Sequence, residues 1–231
     1  MWAVVPPSAA CILARMFRAL LVDYGGVVTT SVLASFGAFC EAESIDVEVF
    51  KQVMLGAART PDSPFARVER GEIEQDEFDR RVARMLTDAC GREIEAADLK
   101  QRLFARVVPD EAMATAIRAV RDTGVTTVLV SNSWGGRDYP QPLLEQLFDY
   151  ILISGAIGMR KPDAEIYLHA AAVARAEASA CVFIDDFAVN VEGAEAVGMT
   201  GILHRDAGET VPRLGVLFGL DLTADAQRGR G

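Results

Sequence analysis

The stretch "LLVDYGGVVTTS", residues 20–31, decides how the chain is expected to fold. Its apolar run stops at Asp23 and is followed by Gly25 and Gly26, which is typical of a buried strand that ends in a turn. A carboxylate at such an end faces a ligand site, because open α/β sheets bind ligands beyond the carboxyl ends of their strands. The stretch therefore raises two questions: what Asp23 does, and why a glycine stands two residues after it.

Further apolar runs rich in Val, Ile and Leu follow the first one, "RALLVDY" (18–24). They are "TTVLVSN" (126–132), "YILIS" (150–154), "ACVFIDD" (180–186) and "TGILHR" (200–205). Runs of this kind suit strands that are covered on both faces. Helical patterns lie between the later runs, at 110–124, 163–176 and 190–198. Strands that alternate with helices predict an α/β fold with a doubly wound parallel sheet.

Residues 33–106 follow a different pattern, with several amphipathic helical stretches and no convincing strand. Pro64, Gly71 and Gly91 are interpreted as turns between these helices. This block predicts a small all-helical cap, inserted after the first strand and lying over the sheet. The predicted partition is an N-terminal tail (1–17), a Rossmann-like core (18–32 and 107–222), the cap (33–106) and a C-terminal tail (223–231).

Composition narrows the possible partners. The net charge of −10 argues against binding to nucleic acid or to an anionic membrane surface, since both need clustered Lys and Arg. A membrane span needs a run of about 18 apolar residues, and the sequence after the first fifteen residues contains no such run, so no span is predicted. Cys11, Cys40, Cys90 and Cys181 form no CxxC pair, which favours reduced thiols and a cytoplasmic location. The sequence does not distinguish a monomer from a homodimer.

The first fifteen residues resemble a poor signal peptide, with an apolar stretch but no positively charged beginning and two prolines inside the run. We expect this segment to be either a loose tail or the product of a start codon placed too early.

Polar side chains follow several of the predicted strands. They are Asp23, Ser131, Asn132, Arg160, Lys161, Asp185 and Asp186. Each motif alone is weak, because an Asp at a strand end is often a helix cap and Ser-Asn is ordinary turn chemistry. Together, at one edge of one sheet, they suit a phosphate monoester: the carboxylates would hold Mg²⁺, a cation would neutralise the phosphate oxygens, and one carboxylate would attack phosphorus. The predicted partner is a small phosphorylated molecule.

Four motifs in this order resemble the haloacid dehalogenase-like hydrolase superfamily, in the branch whose helical C1 cap follows the first motif. The motifs are "VDYGGVVTTS", "VLVSNS", "MRKPD" and "VFIDDFAVN". The chain is especially similar to the phosphatase-type N-terminal domain of soluble epoxide hydrolases, through "NSW", "GMRKPDAEIY" and "FIDDFAVN". The resemblance implies Mg²⁺-dependent hydrolysis of a small phosphorylated metabolite through an aspartyl-phosphate.

The resemblance also implies a role for each matching position. Asp23 would be the nucleophile and a Mg²⁺ ligand, and Lys161 would pair with both the nucleophile and the phosphate. Ser131 and Asn132 would hold the transferring phosphoryl group. Asp186 would bind Mg²⁺ directly, Asp185 directly or through water, and Gly25 through its backbone carbonyl.

Gly25 is a departure from the family pattern, because phosphatases of the family usually carry a second Asp there that protonates the leaving group. One interpretation is a phosphatase that is slow or has an unusual leaving group. Another is 2-haloacid dehalogenase-type chemistry, which needs no acid, although Asp185 and Asp186 would then place unneeded negative charge beside an anionic substrate. The third is a catalytically impaired binding or regulatory protein.

Overall fold

The computed structural model describes residues 16–58, 60–135 and 139–222, and within them five parallel strands form a single sheet. The strands are β1 (Ala19–Val22), β2 (Thr126–Ser131), β3 (Tyr150–Ile153), β4 (Cys181–Asp185) and β5 (Thr200–Leu203). Their order across the sheet is β3-β2-β1-β4-β5. All five predicted strands and the predicted α/β fold class are confirmed. The predicted tails at 1–15 and 223–231 lie outside the described residues.

The sheet is covered on both faces, which explains why its strands are continuously apolar. Leu20 and Val22 of β1 belong to one hydrophobic cluster, whereas Ala19 and Leu21 belong to another. Alternate residues of a strand point to opposite faces, so each face of β1 packs against a different layer of helices. Asp23 follows β1 directly, at the point where the strand ends between the two layers of helices.

Five of the helices between β1 and β2 lie within residues 32–103, and we call these five the helical insert. They are α1 (Val32–Ala42), α2 (Val47–Ala58), α3 (Pro64–Glu69), α4 (Gln75–Cys90) and α5 (Leu99–Leu103). Their buried side chains, among them Phe36, Phe78 and Leu86, form a hydrophobic cluster apart from the two that cover the sheet. The division of the chain into separate core and cap domains stays a prediction.

Pro64 corrects one detail of the sequence analysis, because it is not a turn between helices but the first residue of α3. The Ser63 side chain accepts a hydrogen bond from the Ala66 N–H (3.2 Å), and proline at the first helical position costs no backbone hydrogen bond. Gly91 ends α4 in the left-handed conformation (φ 67°), as expected for a helix stop.

The remaining α-helices flank the strands. They are α6 (Glu111–Asp122), α7 (Gln141–Leu147), α8 (Ser154–Ile157), α9 (Ala164–Val173), α10 (Ala188–Ala196) and α11 (Ala207–Phe218). The predicted helices at 110–124, 163–176 and 190–198 correspond to α6, α9 and α10. Helix α11 was not predicted, because Pro212 interrupts its pattern. Asp206 caps its first turn, and Val211 and Leu214 are buried against the sheet, which stabilises the helix despite the proline.

Two expectations from composition can be compared with the structure. Cys40, Cys90 and Cys181 are free thiols, while Cys11 lies outside the described residues. In the described ranges, every helix is too short or too polar to cross a bilayer.

Candidate active site

The carboxyl ends of β1 and β4 bring three acids and one lysine together. Carboxylate oxygens of Asp23, Asp185 and Asp186 all lie within 4.8 Å of one another. The Lys161 ammonium donates to Asp23 Oδ1 (2.6 Å) and to Asp185 Oδ2 (2.7 Å). Asp23 and Lys161 are 138 residues apart in sequence. Asp23 meets Asp185 and Asp186 because β1 and β4 are neighbours in the sheet.

Two glycines in the turn after Asp23 behave differently. Gly26 has φ 79°, and a Cβ there would lie 2.4 Å from Asp186 Oδ2, so only glycine leaves room for that carboxylate. Gly25 has φ −72° and ψ 120°, which any residue adopts. A Cβ at Gly25 would lie 3.1 Å from Cγ2 of Val32, a contact that a small side-chain shift relieves. The backbone therefore requires glycine at 26 and tolerates another residue at 25.

Lys161 is almost fully buried, with 1% of its surface exposed, and Asn132 holds its backbone. The Asn132 amide nitrogen donates to the Lys161 carbonyl (3.0 Å), and the Lys161 N–H donates to Asn132 Oδ1 (2.9 Å). Because both ends of this amide are used on Lys161, the side chain of Asn132 supports the lysine. A role for Asn132 in holding a phosphoryl group stays a prediction.

The carboxylate of Asp185 is held in place by hydrogen bonds from three groups. Its Oδ1 accepts from the Phe187 N–H (2.8 Å) and from the Asn190 side chain (3.0 Å), and its Oδ2 accepts from Lys161. Asn190 lies within the "VFIDDFAVN" motif, and its spacing five residues after Asp185 brings it back over the carboxylate from α10. The sequence analysis did not assign this residue a role.

Ser131 lies at the end of β2 and is 3% exposed. Its hydroxyl oxygen lies 3.0 Å from the hydroxyl oxygen of Tyr139. The Tyr139 ring packs edge-on against Tyr24, with ring centroids 4.9 Å apart. Tyr139 is thus a residue of the site that sequence reasoning missed, because it follows no strand and carries no motif.

The charges of the site are far from balanced by Lys161 alone. Burial raises the pKa of Asp23 to about 6 against the attraction of Lys161, with the charge of Asp185 adding to the rise. Burial, then the charges of Asp23 and Asp185, raises the pKa of Asp186 to about 7. Burial lowers the pKa of Lys161, but Asp185 and Asp23 outweigh that effect and hold it above its usual range. The cluster is therefore short of positive charge.

A divalent cation would supply that charge, and the residues fit one. Asp186 Oδ1 is buried and has no hydrogen-bond partner within the described residues, although buried carboxylate oxygens are normally paired. The converging donors are all carboxylate oxygens, which suit Mg²⁺ or Ca²⁺. Asp23, Asp185 and Asp186 can accordingly hold a metal ion. Gly25 lies in the turn directly beyond Asp23, and a role for its carbonyl stays a prediction.

Another buried carboxylate, Glu69 at the end of α3, joins the helical insert to the segments that carry the site. Its Oε1 accepts from Trp134 Nε1 (3.2 Å), and its Oε2 accepts from Arg160 Nε (2.7 Å). Trp134 also stacks on Phe36 of α1, with centroids 5.6 Å apart. Arg160 precedes Lys161, so this junction fixes the backbone next to the lysine of the site.

Known proteins are similar to this chain in sequence or in fold. A sesquiterpene phosphatase, astK, from Aspergillus oryzae is 30% identical over 88% of this chain and 97% of its own length. Bifunctional epoxide hydrolase 2 from mouse is 27% identical over 85% of this chain, which confirms the predicted resemblance, and the match spans only 38% of that relative. A haloacid dehalogenase-family enzyme, bt-2542, from Bacteroides thetaiotaomicron, solved with magnesium and inorganic phosphate, has a TM-score of 0.56 at 20% identity, covering 82% of this chain and 94% of its own.

The sequence model of the haloacid dehalogenase-like hydrolases matches residues 17–198. That range holds all four of the polar segments described above, from Asp23 to Asp186. Because the match extends over well more than half of the 231 residues, the chain belongs to the haloacid dehalogenase-like hydrolases.

Proposed function

We propose that this chain is a Mg²⁺-dependent phosphohydrolase that acts on a small phosphorylated metabolite through an aspartyl-phosphate on Asp23. The observation that carries the proposal is the buried contact of Lys161 with Asp23 and Asp185, beside the orphaned oxygen of Asp186. The 30% identity to a sesquiterpene phosphatase over nearly all of that relative supports a phosphate ester as substrate.

In the proposed reaction, a carboxylate oxygen of Asp23 attacks phosphorus and forms the new P–O bond. The bond from phosphorus to the leaving oxygen breaks, and that oxygen departs with the electron pair and needs a proton unless it is a weak base. Water then hydrolyses the acyl phosphate, which releases inorganic phosphate and restores the Asp23 carboxylate. Lys161, held above its usual pKa by its two acids, stays charged beside the nucleophile and neutralises phosphoryl oxygens.

The proposed metal site consists of Asp23, Asp186 and the Gly25 carbonyl, with Asp185 binding directly or through water. When bound, Mg²⁺ would add positive charge where the phosphoryl oxygens lie. It would also stabilise the charged forms of Asp23 and Asp186, whose pKa values are raised by burial and, to a smaller extent, by the neighbouring acids.

Gly25 predicts which leaving groups are favoured, because it cannot provide a proton. Loss of general acid–base help typically costs about 10²–10⁴-fold in rate, so simple alkyl phosphates would react slowly. Acyl and aryl phosphates carry weakly basic leaving groups and would suffer less. A helper acid elsewhere in the site would reduce this difference.

The experiment that tests the function is a substrate panel with and without Mg²⁺. It contains an acyl phosphate, an aryl phosphate, an alkyl phosphate and, because of the A. oryzae relative, a terpenyl monophosphate. We expect Mg²⁺-dependent phosphate release that Asp23→Asn abolishes. Halide release from a 2-haloacid without metal would establish the dehalogenase instead. Mg²⁺ binding without turnover on any substrate would favour the regulatory interpretation.

Gly25→Asp tests the missing acid directly, since the backbone at Gly25 is ordinary and only Val32 is close. We expect the alkyl phosphate rate to rise by at least about 10-fold and the acyl phosphate rate to change little. Gly26→Ala is the matched control, because its Cβ would collide with Asp186 and weaken turnover of every substrate. Equal changes for all substrates in Gly25→Asp would contradict a missing proton donor.

A further inference from the structure

Tyr139 lies at the substrate edge of the sheet without a role in the proposed reaction. Its hydroxyl oxygen lies 3.0 Å from that of Ser131, and its ring packs against Tyr24, the residue after Asp23. Ser131 in turn precedes Asn132, whose amide holds the backbone of Lys161. Tyr139 is therefore tied by direct contacts to two of the segments that build the site.

The two hydroxyl groups have a proton to spare. Each carries one proton, and one of the two is used in the hydrogen bond between them. Within the described residues, the only hydrogen bond of either hydroxyl is this mutual one. Burial raises the pKa of Tyr139 to about 12, so the phenol keeps its proton at neutral pH. The pair thus retains one proton that it can donate to a ligand.

The remaining proton belongs to a pair that lies at the same edge of the sheet as Asp23. Ser131 is the last residue of β2, and β2 pairs with β1 so that Val22, the residue before Asp23, lies beside Leu129. An anion drawn to Lys161 would accept the free hydroxyl proton, and hydrogen bonds to charged groups are stronger than those between neutral ones. A water molecule would gain less from the same donor.

We propose that Tyr139 is a phosphoryl-positioning residue: its hydroxyl orients the Ser131 hydroxyl so that the pair donates one hydrogen bond to a bound phosphoryl oxygen. This inference rests on the proposed function and deepens it by adding a residue to the phosphate site. The ring of Tyr24 holds Tyr139 in place, which explains why an aromatic residue directly after the nucleophile is useful here.

The test is a double-mutant cycle with Tyr139→Phe, Ser131→Ala and the double variant. Tyr150→Phe is the matched control, because Tyr150 lies at the start of β3 and is 41% exposed. The readouts are kcat and KM on an aryl phosphate with Mg²⁺, the affinity for inorganic phosphate, and thermal unfolding. We expect Tyr139→Phe to weaken kcat/KM and phosphate affinity by about 10- to 100-fold, with little change in Tm and no effect of Tyr150→Phe.

Non-additivity separates positioning from a general structural role. If Tyr139 acts through Ser131, adding Tyr139→Phe to Ser131→Ala has almost no further effect on phosphate affinity. If the fold-loss of phosphate affinity in the double variant equals the product of the losses in the two single variants, the tyrosine acts independently of Ser131 and the inference is overturned. The inference is also overturned if Tyr139→Phe loses activity only because its Tm falls. In that case its phosphate affinity would be unchanged at temperatures where the variant is folded.

The outcomes distinguish failure of this inference from failure of the proposed function. If the wild type shows Mg²⁺-dependent turnover and Tyr139→Phe matches it in kcat/KM and phosphate affinity, the inference is wrong and the phosphohydrolase stands. If the wild type hydrolyses none of the phosphates, the proposed function is wrong. The inorganic phosphate titration then decides alone: weaker binding by Tyr139→Phe supports the inference, and equal binding overturns it.

Discussion

Two groups of ion pairs in this molecule have nearly the same distances and very different surroundings. At the edge of the sheet, Lys161 contacts Asp23 and Asp185 at 2.6 and 2.7 Å, and the lysine side chain is 1% exposed. On α4, Glu77 contacts Arg81 and Arg80 at 2.6 and 2.9 Å, and these side chains are 36–62% exposed. Ion-pair distance alone therefore says little about what a charged residue does.

Burial is what separates the two groups. Water screens the α4 pairs, so each contributes little to stability. The sheet-edge acids have lost water, and desolvation raises the pKa values of Asp23 and Asp186 although Lys161 is near. A site kept at such an electrostatic cost is expected to serve a ligand, whereas the α4 pairs need no role beyond a solvated helix face.

The largest effect is expected for Lys161→Met. The change leaves Asp23 and Asp185 without their shared cation, and breaking a buried pair typically costs about 3–5 kcal/mol. Phosphate release should fall by at least about 10³-fold, because the nucleophile loses its neutralising partner. Denaturant unfolding and turnover with Mg²⁺ measure both effects. Near-normal turnover would show that Lys161 is only a structural counter-ion.

The second-largest effect is expected for Asp186→Asn, which should raise the stability of the metal-free protein and weaken metal binding. Without added metal the variant should be slightly more stable, by about 1 kcal/mol or about 2–4 °C in Tm, because one buried negative charge is removed. The rise in Tm on adding Mg²⁺ should disappear, since the orphaned oxygen loses its charge. Thermal unfolding across a Mg²⁺ titration tests this.

Glu192→Gln is a suitable control for Asp186→Asn, because it removes a negative charge from the nearby helix α10 at a residue outside the acidic cluster. Its Mg²⁺ response should match that of the wild type. An undiminished Mg²⁺ response in Asp186→Asn would exclude this residue as a ligand.

An intermediate effect is expected for Glu69→Gln, at the junction between the helical insert and the sheet. Burial raises the pKa of Glu69 even though Arg160, the hydrogen bond from Trp134 and the charge of Lys161 lower it. A raised pKa means that protonated Glu69 favours the folded state. This contribution to the free energy of unfolding is fully present below the unfolded-state pKa and is lost as the pH rises through the higher folded-state pKa. The advantage of the wild type over Gln, about 1 kcal/mol at low pH, should therefore shrink toward neutral pH.

Urea unfolding of both proteins at several values between about pH 4 and pH 7 measures this change. An advantage that grows with pH would show that attraction to Arg160 outweighs the burial of Glu69.

The smallest effect is expected for Glu77→Gln, which breaks both α4 pairs at once. The loss of stability should be small and should fade in high salt, because the charges are exposed. Turnover should not change. Urea unfolding at low and high salt provides the measurement, and a loss as large as that of Lys161→Met would remove the contrast between the two groups of ion pairs.

The pattern of residues along the chain was enough to predict the sheet and the polar residues at its edge. Continuous apolar runs with Val, Ile and Leu predict strands buried on both faces, and parallel strands must present their carboxyl ends on one side. Asp23, Lys161 and Asp185 could be grouped on that ground, and they do meet. The departure at Gly25 was likewise visible in the motif alone. Helix α11 could not be predicted in this way, because Pro212 interrupts its pattern.

Contacts between segments that carry no shared pattern became visible only in the folded molecule. The hydroxyl contact of Tyr139 with Ser131, the burial of Glu69 between Trp134 and Arg160, and the unpaired oxygen of Asp186 depend on how loops and helices pack. Periodicity in a sequence reports which face of one element is buried. It contains no information about which distant side chain covers that face, and burial is what turns these charged and polar groups into a site.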